Sequence, residues 1–80
     1  MIELRCFAAA REAAGTATDT FETDSLGAVL DHACVRYGET FRAVLATSRV
    51  WVNGDEPVLG TETALRDGDE VAILPPVSGG

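Results

Sequence analysis

The sequence predicts an α+β fold in which one mixed sheet packs on one main helix, and three observations predict it. The chain opens on an alternation of apolar and charged residues, Ile2-Glu3-Leu4-Arg5-Cys6, which is the period-2 signature of a half-buried strand. Its middle carries Leu26, Val29, Leu30, Ala33, Cys34 and Tyr37 at helical spacing. It closes on a further apolar segment, Glu70-Val71-Ala72-Ile73-Leu74. Eighty residues make one small domain and leave no length for the crossover helices of a doubly wound parallel sheet.

The elements follow in order. In the first strand Ile2, Leu4 and Cys6 share one face, and Glu3, Arg5 and Phe7 share the other. Ala9 to Ala14 is a short alanine-rich helical turn closed by Gly15. Thr16 to Thr23 reads as a second strand around Phe21, hairpinned to the first. Asp24 and Ser25 offer N-cap side chains for the main helix, which Gly38 stops. Phe41 to Ala46 adds a helical turn, and Arg49-Val50-Trp51-Val52 is a strand ending in the turn dipeptide Asn53-Gly54. Val58-Leu59 is expected to resume a strand briefly. Thr63-Ala64-Leu65 leads to a second turn at Asp67-Gly68, and Glu70 to Leu74 is the last strand. A small sheet wrapped around a single helix is the β-grasp arrangement. Residues 1–74 are expected to form it, and residues 75–80 a flexible C-terminal Gly-Gly tail.

The net charge of −7 comes from thirteen acids against six arginines, with no lysine. That balance argues against nucleic acid, whose binding depends on neutralised phosphates, and favours partners with a basic surface. No apolar run approaches the roughly 20 residues of a membrane span, and no charged-then-apolar leader precedes the first strand, so a cytoplasmic protein is expected. Cys6 and Cys34 fit no metal spacing and read as small core residues. His32 reads as a lone surface histidine.

The ending Pro75-Pro76-Val77-Ser78-Gly79-Gly80 is the most informative stretch. Two terminal glycines make a thin tip without side chains, and two prolines stiffen its root. Six extended residues reach roughly 20 Å at about 3.3 Å each. Such an end can enter a narrow tunnel and present its carboxylate to chemistry in another protein.

Three stretches together resemble the MoaD/ThiS family of ubiquitin-like sulfur carriers: Phe7-Ala8 with Arg11-Glu12 and Gly15, then Val52-Asn53-Gly54, then Leu65-Arg66-Asp67-Gly68-Asp69-Glu70-Val71 with the final Pro75 to Gly80. The Pro-Pro pair is most like the molybdopterin synthase branch. The resemblance implies that an ATP-dependent, MoeB-like activating enzyme adenylates the carboxylate of Gly80. Sulfur then replaces AMP to leave a thiocarboxylate, which is donated to a cyclic pyranopterin precursor within a MoaE-like large subunit, in a heterotetramer. No bound cofactor or metal is implied, only these covalent intermediates. Gly79 and Gly80 are the reacting tip. Arg11, Pro75, Pro76, Val77 and Ser78 are expected to bind partners, as are Phe7, Trp51 and Leu74, which strand alternation places on one outward face with Ala72. Other classes remain: a carrier for thiazole or cysteine formation, a ubiquitin-like protein modifier, or an interaction domain with an incidental tail. Asp67-Gly68-Asp69 is sufficient as turn chemistry.

Overall fold

The computed structural model describes residues 1–76. Its elements are β1 (Ile2–Cys6), α1 (Ala8–Ala14), β2 (Thr18–Phe21), α2 (Leu26–Tyr37), α3 (Glu39–Ala46), β3 (Arg49–Val52), a 3-10 turn (Gly60–Glu62) and β4 (Glu70–Leu74). The four strands form one sheet in the order β2-β1-β4-β3. β1 runs antiparallel to β2 and parallel to β4, and β3 is antiparallel to β4. The sheet is therefore mixed, and the first and last strands pair at its centre. The whole intervening chain serves as their crossover, which is the β-grasp arrangement expected.

Alternation in the sequence becomes alternation of burial. Ile2, Leu4 and Cys6 of β1 and Val71 and Ile73 of β4 are buried against Leu26, Val29, Ala33 and Cys34 of α2, with Phe21, Phe41, Ala10 and Leu65 closing the sides. The periodic positions Leu30 and Tyr37 are partly buried at the margins of that core. Ser25 caps α2 by accepting the Ala28 N–H at 3.2 Å. Gly38 ends the helix, its N–H bonding the Cys34 carbonyl at 2.9 Å, and its own carbonyl accepts from Arg42 N–H to start α3. It does both at φ 100°, a conformation that side-chain-bearing residues rarely adopt. The ring of Tyr37 meets Phe41 edge-on at 5.0 Å, joining the two helices.

Three expectations are corrected or trimmed. Val58 and Leu59 form no strand: they stand 97% and 68% exposed in the loop before the 3-10 turn. Pro57 lacks a backbone donor, Gly60 bends the chain at φ 56°, and the edge that Val58 and Leu59 would pair with is already occupied at Val52 by Asp55. β2 is shorter than Thr16 to Thr23, because the Thr16 hydroxyl bonds the backbone of Thr18 instead of extending the ladder. The two helical turns each begin earlier, at Ala8 and Glu39.

Candidate functional site

A four-stranded sheet can meet a partner through its edges or its faces, and here most of those routes are closed. Along the outer edge of β2, Thr16 Oγ1 bonds both the N–H and the carbonyl of Thr18, Asp19 Oδ1 takes the Thr20 N–H at 2.8 Å, and Arg36 donates to the Thr20 carbonyl at 3.3 Å. Arg36 is held there by Asp19 at 2.8 Å and by the Phe21 ring, 4.2 Å below its guanidinium. At the other edge the Asn53-Gly54 turn folds Asp55 back onto both backbone groups of Val52. Strand addition is thus disfavoured along β2 and at the Val52 end of β3, and the inner face is covered by α2. The outer face remains.

That face is set by register. Trp51 lies beside Ala72, Ala72 beside Arg5, and Leu74 beside Arg49. Extending the β1–β4 pairing by one residue brings Phe7 beside Leu74, and the Phe7 N–H bonds the Ile73 carbonyl at 3.2 Å. Phe7 stays extended as the residue preceding α1 (φ −119°, ψ 153°), so its ring keeps the outward parity of β1. Phe7 is 44% and Trp51 38% exposed, Leu74 is half-buried, and none of the three belongs to the core. An apolar diagonal Trp51-Ala72-Leu74-Phe7 therefore crosses the outer face to the point where the tail departs, as alternation predicted. Exposed apolar clusters of this kind mark interfaces. Arg11 is exposed on α1, one helical turn beyond Phe7, and Pro75 and Pro76 continue from Leu74. Val77, Ser78, Gly79 and Gly80 lie outside the described residues.

The far end of β4 is built differently. Asn53 Oδ1 accepts the Glu70 N–H at 2.9 Å while its Nδ2 donates to Asp69 at 3.1 Å. Asp69 also accepts the Arg66 N–H at 2.8 Å, and Gly68, at φ 91°, donates its N–H to the Met1 carbonyl at 2.9 Å. The Met1 ammonium pairs with Asp67. These contacts, the Arg66 N–H first and Asn53 second, hold the Asp69 carboxyl below the usual carboxylate range. Val52-Asn53-Gly54 and Asp67-Gly68-Asp69-Glu70-Val71 therefore form one clasp, and its role is to fix where β4 begins. Sequence reasoning reached both stretches but not their union. It also missed Arg5, which bridges Glu3 at 3.2 Å and Glu70 at 2.9 Å across the outer face.

Nothing in the described residues resembles a catalytic centre of its own. Among them no residue is both buried and polar, and no three His, Cys, Asp or Glu side chains gather to hold a metal. A hollow of about 370 Å³ between α2, α3 and Thr61 has Asp31 and Arg42 among its lining residues, and a second of about the same volume is lined by His32, Val35 and Arg36; neither holds an acid–base pair poised for chemistry. Both thiols are buried, and burial, with the Asp19 charge, pushes Cys6 up to about 11. Among the described residues no helix is long and apolar enough to cross a membrane.

Comparison with known proteins agrees with this geometry. The ThiS family's sequence model matches residues 4–80. The molybdopterin synthase sulfur carrier subunit of Haemophilus influenzae is 30% identical over 82 residues, covering 100% of both chains. Among solved structures, the small archaeal modifier protein 1 of Methanosarcina acetivorans superposes with a TM-score of 0.87 at 30% identity, over 99% of this chain and 95% of that one. A chain from the complex of subunits 1 and 2 of the molybdopterin-converting factor of Helicobacter pylori shares the fold, with a TM-score of 0.71 at 24% identity over 99% and 97% of the two chains. Sequence, fold and the clasped β4 with its glycine-ended tail converge: the chain belongs to the ThiS family of ubiquitin-like sulfur carriers.

Proposed function

We propose that this carrier serves molybdenum cofactor synthesis, bearing sulfur as a thiocarboxylate on Gly80 as the small subunit of a molybdopterin synthase. The carboxylate of Gly80 attacks the α-phosphate of ATP on an activating enzyme, and pyrophosphate leaves. A persulfide sulfur then attacks the acyl carbon and expels AMP. A second thiol closes a disulfide on the donor and frees the thiocarboxylate. The terminal sulfur next attacks a carbon of a cyclic pyranopterin precursor and displaces an oxygen there, water cleaves the acyl–sulfur bond so that Gly80 leaves as a carboxylate, and two loaded carriers in turn supply the two sulfurs of the dithiolene. The electrophile is the carrier's own carbonyl, so no side-chain nucleophile is required of this chain.

The observation that carries the reading is the exit of β4. A central strand locked in register runs straight into Pro75-Pro76, surrounded by the apolar diagonal of Phe7, Trp51 and Leu74. That patch, with Arg11 at its rim, is the surface on which an activating enzyme and a large subunit would each seat the chain, probing the tail into their own sites. The full-length H. influenzae relative, a synthase sulfur carrier subunit, supports this pathway over others. A heterotetramer of two carriers and two large subunits, working in the cytoplasm, is the corresponding assembly. The test is intact mass after incubation with the cognate activating enzyme, ATP and a persulfide donor. A gain equal to one sulfur-for-oxygen exchange is expected, and the loaded chain should then convert precursor with the large subunit. A chain that never takes up sulfur would sink the carrier reading; one that loads yet does not convert precursor would move it to another pathway.

A second reading is favoured by the M. acetivorans likeness, since that protein is a small archaeal modifier. The same activated Gly80 could be passed to amines of other proteins. Mass spectrometry of cellular proteins for lysines carrying the tryptic remnant of residues 67–80, the segment that follows the last arginine, Arg66, and that is lost on deletion of Gly80, separates it from the first.

A further inference from the structure

All six cationic side chains of this sequence are arginine, and there is no lysine. Their placement gives that composition a consequence. Arg49 is the register neighbour of Leu74, from which the tail departs, and Arg5 is the neighbour of Ala72 on the same outer face. Arg11 lies on α1 just beyond Phe7, and Arg42 on α3, the helix that leads into β3. The six residues that follow Leu74 span at most roughly 20 Å, which bounds the region in which an amine would matter. A covalent tether of that length holds its end at an effective concentration on the order of millimolar. A lysine in any of these positions would be a primary amine held beside an acyl electrophile. Arginine supplies the same charge but stays protonated above pH 12, and its guanidinium is not a working nucleophile.

The N-terminal amine and the thiols are withheld as well. The Met1 ammonium is paired with Asp67 and Glu22 at the clasped end of the sheet, the whole length of β1 from the tail's root. Cys6 and Cys34 are buried in the core. Hydroxyls of the exposed threonines are weak nucleophiles without an adjacent base. We infer that this chain is an acyl donor built so that it cannot be its own acyl acceptor: the surface within reach of its activated C-terminus carries positive charge without amines. The inference rests on the activation of Gly80 proposed above. It also means that a chain transferred to an amine on another protein would end there as a single unit, because the transferred chain offers no lysine for a second.

The step being excluded is aminolysis. The lysine Nζ lone pair bonds the Gly80 acyl carbon, the bond to the leaving group breaks, and the amine's proton departs with that group, leaving an amide and a chain lighter by one water. It can be tested without any partner by releasing the full chain from an intein fusion as its C-terminal thioester and following intact mass at mildly alkaline pH. Wild type and Thr47→Arg should give only hydrolysed acid. Thr47→Lys, on the exposed junction between α3 and β3, should give dehydrated monomer at about tenfold or more above wild type, given the tethered concentration. Ala46→Lys, at an exposed helix position that lysine suits, is the second variant should the first fold poorly. The inference is overturned if both lysine variants, folded by circular dichroism, yield no more dehydrated chain than wild type. It is equally overturned if wild type itself cyclises or forms covalent dimers. The thioester is made chemically, so these outcomes are independent of sulfur loading, whose failure would instead remove the carrier reading.

Discussion

The two ends of β4 are treated in opposite ways. Where the strand enters the sheet, Asn53, Asp69, Gly68 and Met1 knit three chain segments together through hydrogen bonds. Where it leaves, the neighbours are the exposed rings of Phe7 and Trp51 and the half-buried Leu74, followed by two prolines with no N–H to offer. One end uses polar groups to fix register, and the other leaves apolar surface uncovered. A one-residue slip of β4 would exchange its faces, burying Ala72 and Leu74 and exposing Val71 and Ile73. The clasp therefore determines which residues the exit end presents. Substitutions at the entry should register as lost stability, and substitutions at the exit as lost function in a chain that stays folded.

The strongest test of that division is at the tip. Deleting Gly80, or placing Phe at Gly79, is expected to abolish sulfur transfer completely while the thermal midpoint of the domain stays where it was, because the core residues all lie at or before Ile73. Transfer by a chain lacking Gly80 would contradict delivery through the C-terminus. Next in size is the apolar diagonal. Phe7→Asp combined with Leu74→Asp should weaken binding to the large subunit and to the activating enzyme by roughly 100-fold or more, since buried aromatic anchors at an interface are typically worth 2 kcal/mol or more each. Both side chains lie outside the core, so the free variant should unfold near the wild-type denaturant midpoint; unchanged binding by calorimetry would move the interface elsewhere. At the entry end the pattern should invert. Asn53→Ala removes two side-chain hydrogen bonds and leaves alanine at φ 52°, for a loss on the order of 2 kcal/mol of stability. The fraction still folded should load and deliver sulfur normally. A variant of wild-type stability that transfers poorly would mean the clasp acts in function directly.

Much of this asymmetry is legible in the sequence. Period-2 alternation in Ile2 to Phe7 identified both the buried residues of β1 and the outward ring of Phe7, and the same parity carried over to Trp51 and Leu74. Helical spacing and the Ser25 and Gly38 signals bounded α2 correctly, because one amphipathic stripe facing one sheet leaves little freedom. Val58 and Leu59 misled because apolar identity was read as strand without asking where the partner strand lay; Asp55 had already closed that edge. The Asn53–Asp69 clasp was invisible for a related reason. Each half reads as a complete local turn, and only the antiparallel pairing of β3 with β4 brings a side chain at 53 to the backbone of 70. No local pattern singles out Arg36 either, yet it lies over Phe21 and seals the β2 edge together with Asp19. Contacts that depend on tertiary register are not written in local pattern.

The smallest expected effects are in pH, and they separate the clasp and edge carboxylates from the core. Asp19 is held below the usual carboxylate range by the Tyr37 hydroxyl first, with Arg36 and the Thr20 N–H adding to it, and Asp69 by the Arg66 N–H and Asn53. A carboxyl depressed in the folded state stabilises above its unfolded pKa near 3.9 and loses that contribution as pH falls through the folded value. Urea midpoints should therefore be flat from pH 7 to 5 and decline below about 4. Asp19→Asn should flatten part of that decline and Asp69→Asn another part. At the alkaline side the sign is reversed in cause: the Cys6 thiol, pushed from 9.0 to about 11 chiefly by burial, binds its proton more tightly when folded. The unfolded chain ionises first, so stability should fall as pH rises from about 9 toward 11, with Tyr37, also raised by burial and by Asp19, extending the fall upward. Cys6→Ala should remove the lower part of this alkaline slope although it lowers stability at neutral pH by leaving a cavity. A decline of unchanged steepness between pH 9 and 11 in that variant would mean the thiol is not the group responsible, and that the core behind the outer face is more open to water than its burial indicates.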